Sequence, residues 1–202
     1  MKKTTKEKGL TIVELTIVLV VIGILVTIAA VGWSSFERRN RLRVATNQVY
    51  NSLRRSQSEA KRDKTDWQTT LAQDGRRIKV AIHPSSIPPV KVNSWEYLPR
   101  GVKLDFEPNE YGQRESSLLF LDPETNRNTT RQTGYYTLRW NFQGCPIYKP
   151  GDSCGETSLR TMGRIALTNG NDRSCVVVST LLGVLRKGQN HDQPDRTWRH
   201  CY

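Results

Sequence analysis

Twenty-two consecutive residues, Leu15 to Phe36, carry no charge, and a single carboxylate, Glu14, stands directly before them. At about 1.5 Å per helical residue, a run of this length crosses a ~30 Å hydrocarbon core. It is the one stretch of the chain long and apolar enough to do so, which excludes a multi-span channel or transporter. The first proline is Pro84, so nothing breaks a helix before it, and the spacing predicts one helix from about Leu10 to Arg62. Such a helix is roughly 80 Å long. Beyond Trp33, the residues Leu42, Ala45, Val49, Leu53 and Ala60 recur at spacings of three, four or seven and mark one face. Arg38, Arg39, Arg41, Arg43, Arg54 and Arg55 crowd the other faces. The first half of the helix therefore needs lipid or copies of itself around it. Glu14 is the anomaly, because a carboxylate within a bilayer costs roughly 2.5–3.5 kcal/mol on insertion scales.

After Asp74-Gly75 the pattern changes to short β-like runs. Residues 76–83 alternate around Ile78, Val80 and Ile82, and residues 134–142 around Tyr136, Leu138 and Trp140. Ser116 to Leu121 is a compact apolar run. Residues 164–179 read as a hairpin that turns at Asn169-Gly170-Asn171-Asp172. The fold class is α+β: a long N-terminal transmembrane and amphipathic helix packed on a C-terminal antiparallel β-sheet domain. No internal repeat or low-complexity segment interrupts it.

The formal charge of +12 favours anionic partners such as nucleic acid, acidic lipid or an acidic protein face, without choosing among them. Four lysines precede the apolar run and four arginines closely follow it, so the charge balance gives no orientation. The four cysteines do, because an even number confined to the last third fits disulfides and an oxidising compartment. None forms a C-x-x-C pair, which argues against a zinc knuckle. Three pairings exist, and sequence proximity favours Cys145 with Cys154 and Cys175 with Cys201.

Little points to catalysis. Gly151 to Gly155 reads Gly-Asp-Ser-Cys-Gly and fits the nucleophile-elbow pattern, but its flanks are not the strand and helix an elbow needs. A disulfide-closed loop is the better reading. His83, His191 and His200 lie at no metal-ligand spacing, and no Walker loop or dinucleotide fingerprint is present. The expectation is a non-enzyme with no cofactor and no metal. The C-terminal tail is basic: Arg186, Lys187, Arg196 and Arg199 surround Trp198. Cations neutralise phosphates and an indole stacks on an unpaired base, so these five are candidate DNA contacts. Trp198 as a cover for a core edge is the alternative.

The opening stretch, Lys8-Gly9-Leu10 followed by Glu14 and the apolar run, resembles the class III signal of type IV pilins and of the pseudopilins of type II secretion. That pattern is a short basic leader ending in Gly, a cut, a hydrophobic residue, and Glu at the fifth mature position. The resemblance implies a leader of residues 1–9, cleavage between Gly9 and Leu10 by prepilin peptidase, and N-methylation of Leu10. The helix then covers 10–62, with 10–36 in the membrane or filament core and 37–62 amphipathic, and the globular domain covers 63–202. The family also implies that Glu14 neutralises the N-terminal amine of a neighbouring subunit during filament assembly. Leu10 stands where Phe is commoner. The apolar helix lacks the proline of many pilins, with Gly23 or Gly32 as candidates for the same loosening. The remainder resembles, more loosely, the minor-pilin branch called GspH/FimT-like, through the Gly-containing segment from Cys175 to Gly188. DNA-binding members of that branch carry Gly-Arg-x-Arg there; of Gly183-Val184-Leu185-Arg186, the glycine and the last arginine match.

The resemblance thus implies a minor type IV pilin or pseudopilin, placed in the bacterial inner membrane and then in a periplasmic or extracellular pilus or pseudopilus. Its partners would be other pilin or pseudopilin subunits, prepilin peptidase, and inner-membrane lipid before assembly. The leader holds four lysines and one glutamate, so its loss lowers +12 by three, to about +9. A DNA-binding minor pilin for DNA uptake and an uncleaved membrane-anchored extracytoplasmic domain are the alternatives.

Overall fold

The computed structural model describes residues 11–130, 133–154 and 163–202, with 28–31 as backbone only. Helix α1 runs from Ile12 to Asp63 and passes through Gly23 and Gly32. The chain divides into two compact units, Met1–Arg38 and Arg39–Tyr202, so the helix supplies the first unit and opens the second.

In the second unit the helical periodicity reads out directly as burial. Leu42, Ala45, Val49, Leu53 and Ala60 are all buried and belong to one hydrophobic core. Strands β1 (Trp67–Asp74) and β2 (Arg77–Pro84) form a hairpin with Asp74 opposite Arg77. Gly75 takes the first loop position at φ 58°, where a two-residue hairpin favours glycine. The other strands are β3 (Glu96–Tyr97), β4 (Lys103–Leu104), β5 (Leu119–Leu121), β6 (Asn128–Thr129), β7 (Tyr135–Trp140), β8 (Pro146–Ile147), β9 (Arg164–Thr168), β10 (Arg173–Val178) and β11 (Leu185–Gln189). Among the described residues they make two antiparallel sheets. One has the order β3-β2-β1-β7-β5-β6, with β8 added to β7; the other has the order β11-β10-β9-β4.

Both sheets contribute to the core under the helix. Leu71 of β1, Ile78 and Val80 of β2, and Tyr136, Leu138 and Trp140 of β7 lie in it with Ile165, Leu167, Val176 and Val178 of the second sheet. Residues 164–178 form the hairpin expected from the sequence. The segment after it is more regular than the sequence suggests: β10 turns at Thr180–Gly183 and returns as β11, with Val178 opposite Leu185. Gly183 sits at φ 78°, and a Cβ there would lie 2.5 Å from Gln57 Nε2 and 2.6 Å from the Trp140 ring. Gln57 uses that close approach. Its Nε2 donates to the carbonyls of Gly144 at 2.7 Å and Gly183 at 3.0 Å, tying two turns to the helix.

Strand β1 has no apolar signature, yet Gln68 through Ala72 are all buried. Alternation explains it, since successive side chains point to opposite faces. Thr69 and Leu71 face the helix. Gln68 and Thr70 face away, where a second, polar layer covers the sheet.

Candidate functional site

The assembly residues expected from the sequence lie at the helix N-terminus. Gly9 and Leu10, the expected cleavage and methylation positions, lie outside the described residues. Glu14 is exposed in the first turn of α1. Its backbone N–H donates to Thr11 Oγ1 at 3.2 Å, and Leu15 N–H donates to the Thr11 carbonyl at 3.1 Å. Thr11 thus acts as N-cap with Glu14 at the third helical position, one half of a capping box. A carboxylate there also faces the positive end of the helix dipole. The sequence signal for this cap is Thr-x-x-Glu at residues 11–14. Beyond it, Ile12, Leu15, Ile17, Leu19, Ile22, Ile24 and Leu25 are all at least half exposed, as are Trp33 and Phe36. The described side chains of the apolar half of the helix are exposed on every side, and the helix is long and apolar enough to cross a membrane.

The cysteines form Cys145–Cys154 and Cys175–Cys201. The second bridge is fully buried and pins the C-terminal tail. Asn190 and Cys201 form a β-bridge, and Gln189 and Tyr202 exchange backbone bonds at 3.2 and 3.3 Å. Gly188 permits this crossing, since a Cβ there would lie 2.7 Å from the Tyr202 backbone. Glu115, fully buried, holds the same tail from the other side. Its oxygens accept from the N–H of His200 at 2.9 Å and of Cys201 at 3.2 Å, with Arg173 4.0 Å away. No regular pattern in the sequence distinguishes this glutamate.

The five candidate DNA contacts do not converge. Arg186 and Lys187 are adjacent on β11 and so point to opposite faces. Lys187 Nζ donates to Asn47 Oδ1 at 2.6 Å and lies 4.6 Å from the centre of the Tyr50 ring. Arg199 Nε donates to the Arg114 carbonyl at 2.8 Å, and burial lowers its pKa. Arg196 and Trp198 are exposed; Trp198 lies 5.1 Å from the Tyr111 ring. Of the Gly-Asp-Ser-Cys-Gly stretch, Cys154 is committed to its disulfide, and Gly155 lies outside the described residues. Among the described residues no group of three or more His, Cys, Asp or Glu is placed to hold a metal.

No family model, curated protein or solved structure matches this chain.

Trp198 has φ 58°, a costly conformation for a bulky side chain. Asp195 over-determines the turn that imposes it. Its Oδ1 accepts from the N–H of Thr197 and Arg199 and from Thr197 Oγ1, and its Oδ2 pairs with Arg164 at 3.0 Å. Burial alone raises this carboxyl, but the bonds from Thr197, Arg164 and Arg199 more than offset it and hold the pKa at about 2. The folded value is below the ordinary carboxylate value. The stabilisation is therefore complete above about pH 4 and is lost as pH falls through about 2. Asp195→Asn should be less stable than the parent by about 1.5–3 kcal/mol at pH 5, the usual worth of bonds to a charged group. Urea unfolding of both proteins at pH 5, 3 and 2 checks this, and the gap should close toward pH 2. A gap independent of pH would remove the carboxylate charge from the account.

Proposed function

We propose that this chain is a minor type IV pilin or pseudopilin, a filament subunit that assembles through its N-terminal helix after prepilin peptidase removes residues 1–9. The observation that carries the reading is a single continuous helix with two different halves. Its first half is apolar, with its described side chains exposed all round and one carboxylate in the first turn. Its second half buries one stripe in a disulfide-bonded β domain. An all-apolar surface is satisfied by lipid and equally by a bundle of identical helices, so the same segment serves as anchor before assembly and as filament core after it. The pilin-like character of the fold, the inner-membrane start and the periplasmic or extracellular end point belong to this proposal. So do the partners: sibling subunits, prepilin peptidase and membrane lipid.

The intact mass of the protein purified from its native membrane or filaments tests it. The expected mass lacks Met1–Gly9, carries one added methyl, and is four hydrogens short of the reduced chain. A full-length mass would overturn the proposal in favour of an uncleaved anchored domain. DNA binding is a second reading, favoured by the exposed Arg186, Arg196 and Trp198 alone. It requires affinity that falls steeply with salt and drops when those arginines are replaced.

A further inference from the structure

The polar layer on the sheet face opposite the helix contains a buried cation that has no partner of opposite charge among the described residues. Register aligns His83, Gln68 and Arg139 in one row across β2, β1 and β7. Arg139 is 1% exposed. Its Nε donates to Gln68 Oε1 at 2.9 Å, Nη1 to Asn128 Oδ1 at 2.6 Å and to the Tyr148 carbonyl at 3.1 Å, and Nη2 to the Asn126 carbonyl at 2.8 Å. All four acceptors are neutral. Nη2 keeps a second N–H for which no acceptor is found among the described residues.

Desolvation is the dominant effect on this guanidinium and lowers its pKa to about 10. Asp66 and Asp152 oppose it from a distance. Neither forms an ion pair with it, and each already accepts a backbone N–H: Asp66 from Gly151 at 2.6 Å and Asp152 from Lys149 at 2.7 Å. A buried charge is ordinarily paired, because the interior does not solvate it.

A cavity of about 580 Å³ opens beside this group, within the size range of small-molecule sites. Its wall contains Arg139, Asn126, Asn128 and Ser85, and its rim contains Lys149 and Arg127 against one acid, Glu124. Tyr148, Pro88 and Pro150 supply flat apolar surface. The Ser85 hydroxyl is the second unmet group, buried and without a hydrogen-bond partner among the described residues. A buried donor left unmade costs free energy, and Ser85 lines the same cavity as the guanidinium.

We propose that this cavity binds a small carboxylate with a ring-shaped body. The carboxylate would meet Arg139, Ser85 and Lys149, and the ring would lie on Tyr148 and the prolines. A charged donor beside a carboxylate makes the stronger kind of hydrogen bond. The carboxylate also provides the counter-charge the guanidinium lacks, whereas a bare inorganic anion would leave the apolar surface uncovered.

The test is isothermal titration of the full-length protein in detergent with sodium benzoate, with benzamide and inorganic phosphate as comparison probes. Benzamide has the same shape without the charge and reports partition into the micelle. Benzoate should bind at least tenfold more tightly than either comparison probe. Arg139 also holds the fold together, so the informative variants are Ser85→Ala and Lys149→Gln. Ser85→Ala removes a hydroxyl that bonds nothing in the protein, so the unliganded melting temperature should hold or rise. Benzoate affinity should nevertheless fall about tenfold, the worth of one good hydrogen bond. Lys149→Gln should weaken benzoate and leave benzamide unchanged. Equal binding of benzoate and benzamide, phosphate binding as tightly as benzoate, or unaltered benzoate affinity in both variants would each overturn the proposal.

Discussion

On the proposed filament role, Glu14→Gln is expected to abolish entry into filaments as completely as Glu14→Ala, while membrane insertion and leader removal continue. The two substitutions separate the capping position that the structure gives Glu14 from the docking role proposed for it. Glu14 stands at the third helical position behind the Thr11 cap, where Glu and Gln serve alike. If the cap were its whole purpose, the glutamine variant would assemble normally and only alanine would weaken the first turn. Docking demands charge. An amine and a carboxylate are each costly in an apolar filament core, and removing one partner of a buried pair costs about 3–5 kcal/mol. At 1.4 kcal/mol per factor of ten, that is at least a hundredfold at each subunit contact. A membrane-inserted chain would meanwhile gain from losing a carboxylate near hydrocarbon. The measurement is the fraction of the protein in sheared, pelleted filaments against the fraction in membranes. Normal incorporation of Glu14→Gln would reduce Glu14 to a helix cap.

The helix was legible because its buried stripe is wholly apolar and the 3.6-residue period leaves it visible at Leu42, Ala45, Val49, Leu53 and Ala60. Tyr136, Leu138 and Trp140 were legible for the matching reason, a period of two on a half-apolar strand. Strand β1 was not. Its buried residues Gln68, Thr69 and Thr70 are polar, and they tolerate burial through bonds to partners that the sequence does not place beside them. Gln68 meets Asn126 and Arg139; Thr70 meets His83; Thr69 reaches the Ser52 carbonyl on the helix. The same reason hid both Arg139 and Glu115, since a buried charge is recognisable only once distant segments are brought together around it. The two-residue strands β3, β4, β6 and β8 are too short to show any period. The proximity pairing of the cysteines agrees with the structure, but proximity does not show that one bridge lies buried beneath the tail.

That difference between the two bridges sets the second expectation. Cys201→Ser should destabilise the β domain by about 3.5 kcal/mol, and Cys145→Ser by about 2.6, from loop-closure entropy over separations of 26 and 9 residues. At about 2–4 °C per kcal/mol for a domain of this size, the first loss lowers the melting temperature by about 7–14 °C. The true gap between the variants should exceed the entropic one. Cys201 lies at the centre of a latch in which Glu115 takes the N–H groups of His200 and Cys201 and Gly188 seats the chain end. Once the bridge is cut, the tail is free to leave, and the N–H groups that Glu115 satisfied can find water instead. Glu115→Ala should therefore be costly with the bridge intact, at about 1–3 kcal/mol for the buried bonds it leaves unmade, and nearly silent without it. Thermal unfolding of the two single variants and the double variant closes the cycle. A double-variant loss equal to the sum of the singles would show that carboxylate and disulfide act on separate structures, and an unchanged melting temperature in Cys201→Ser would remove the bridge from the fold.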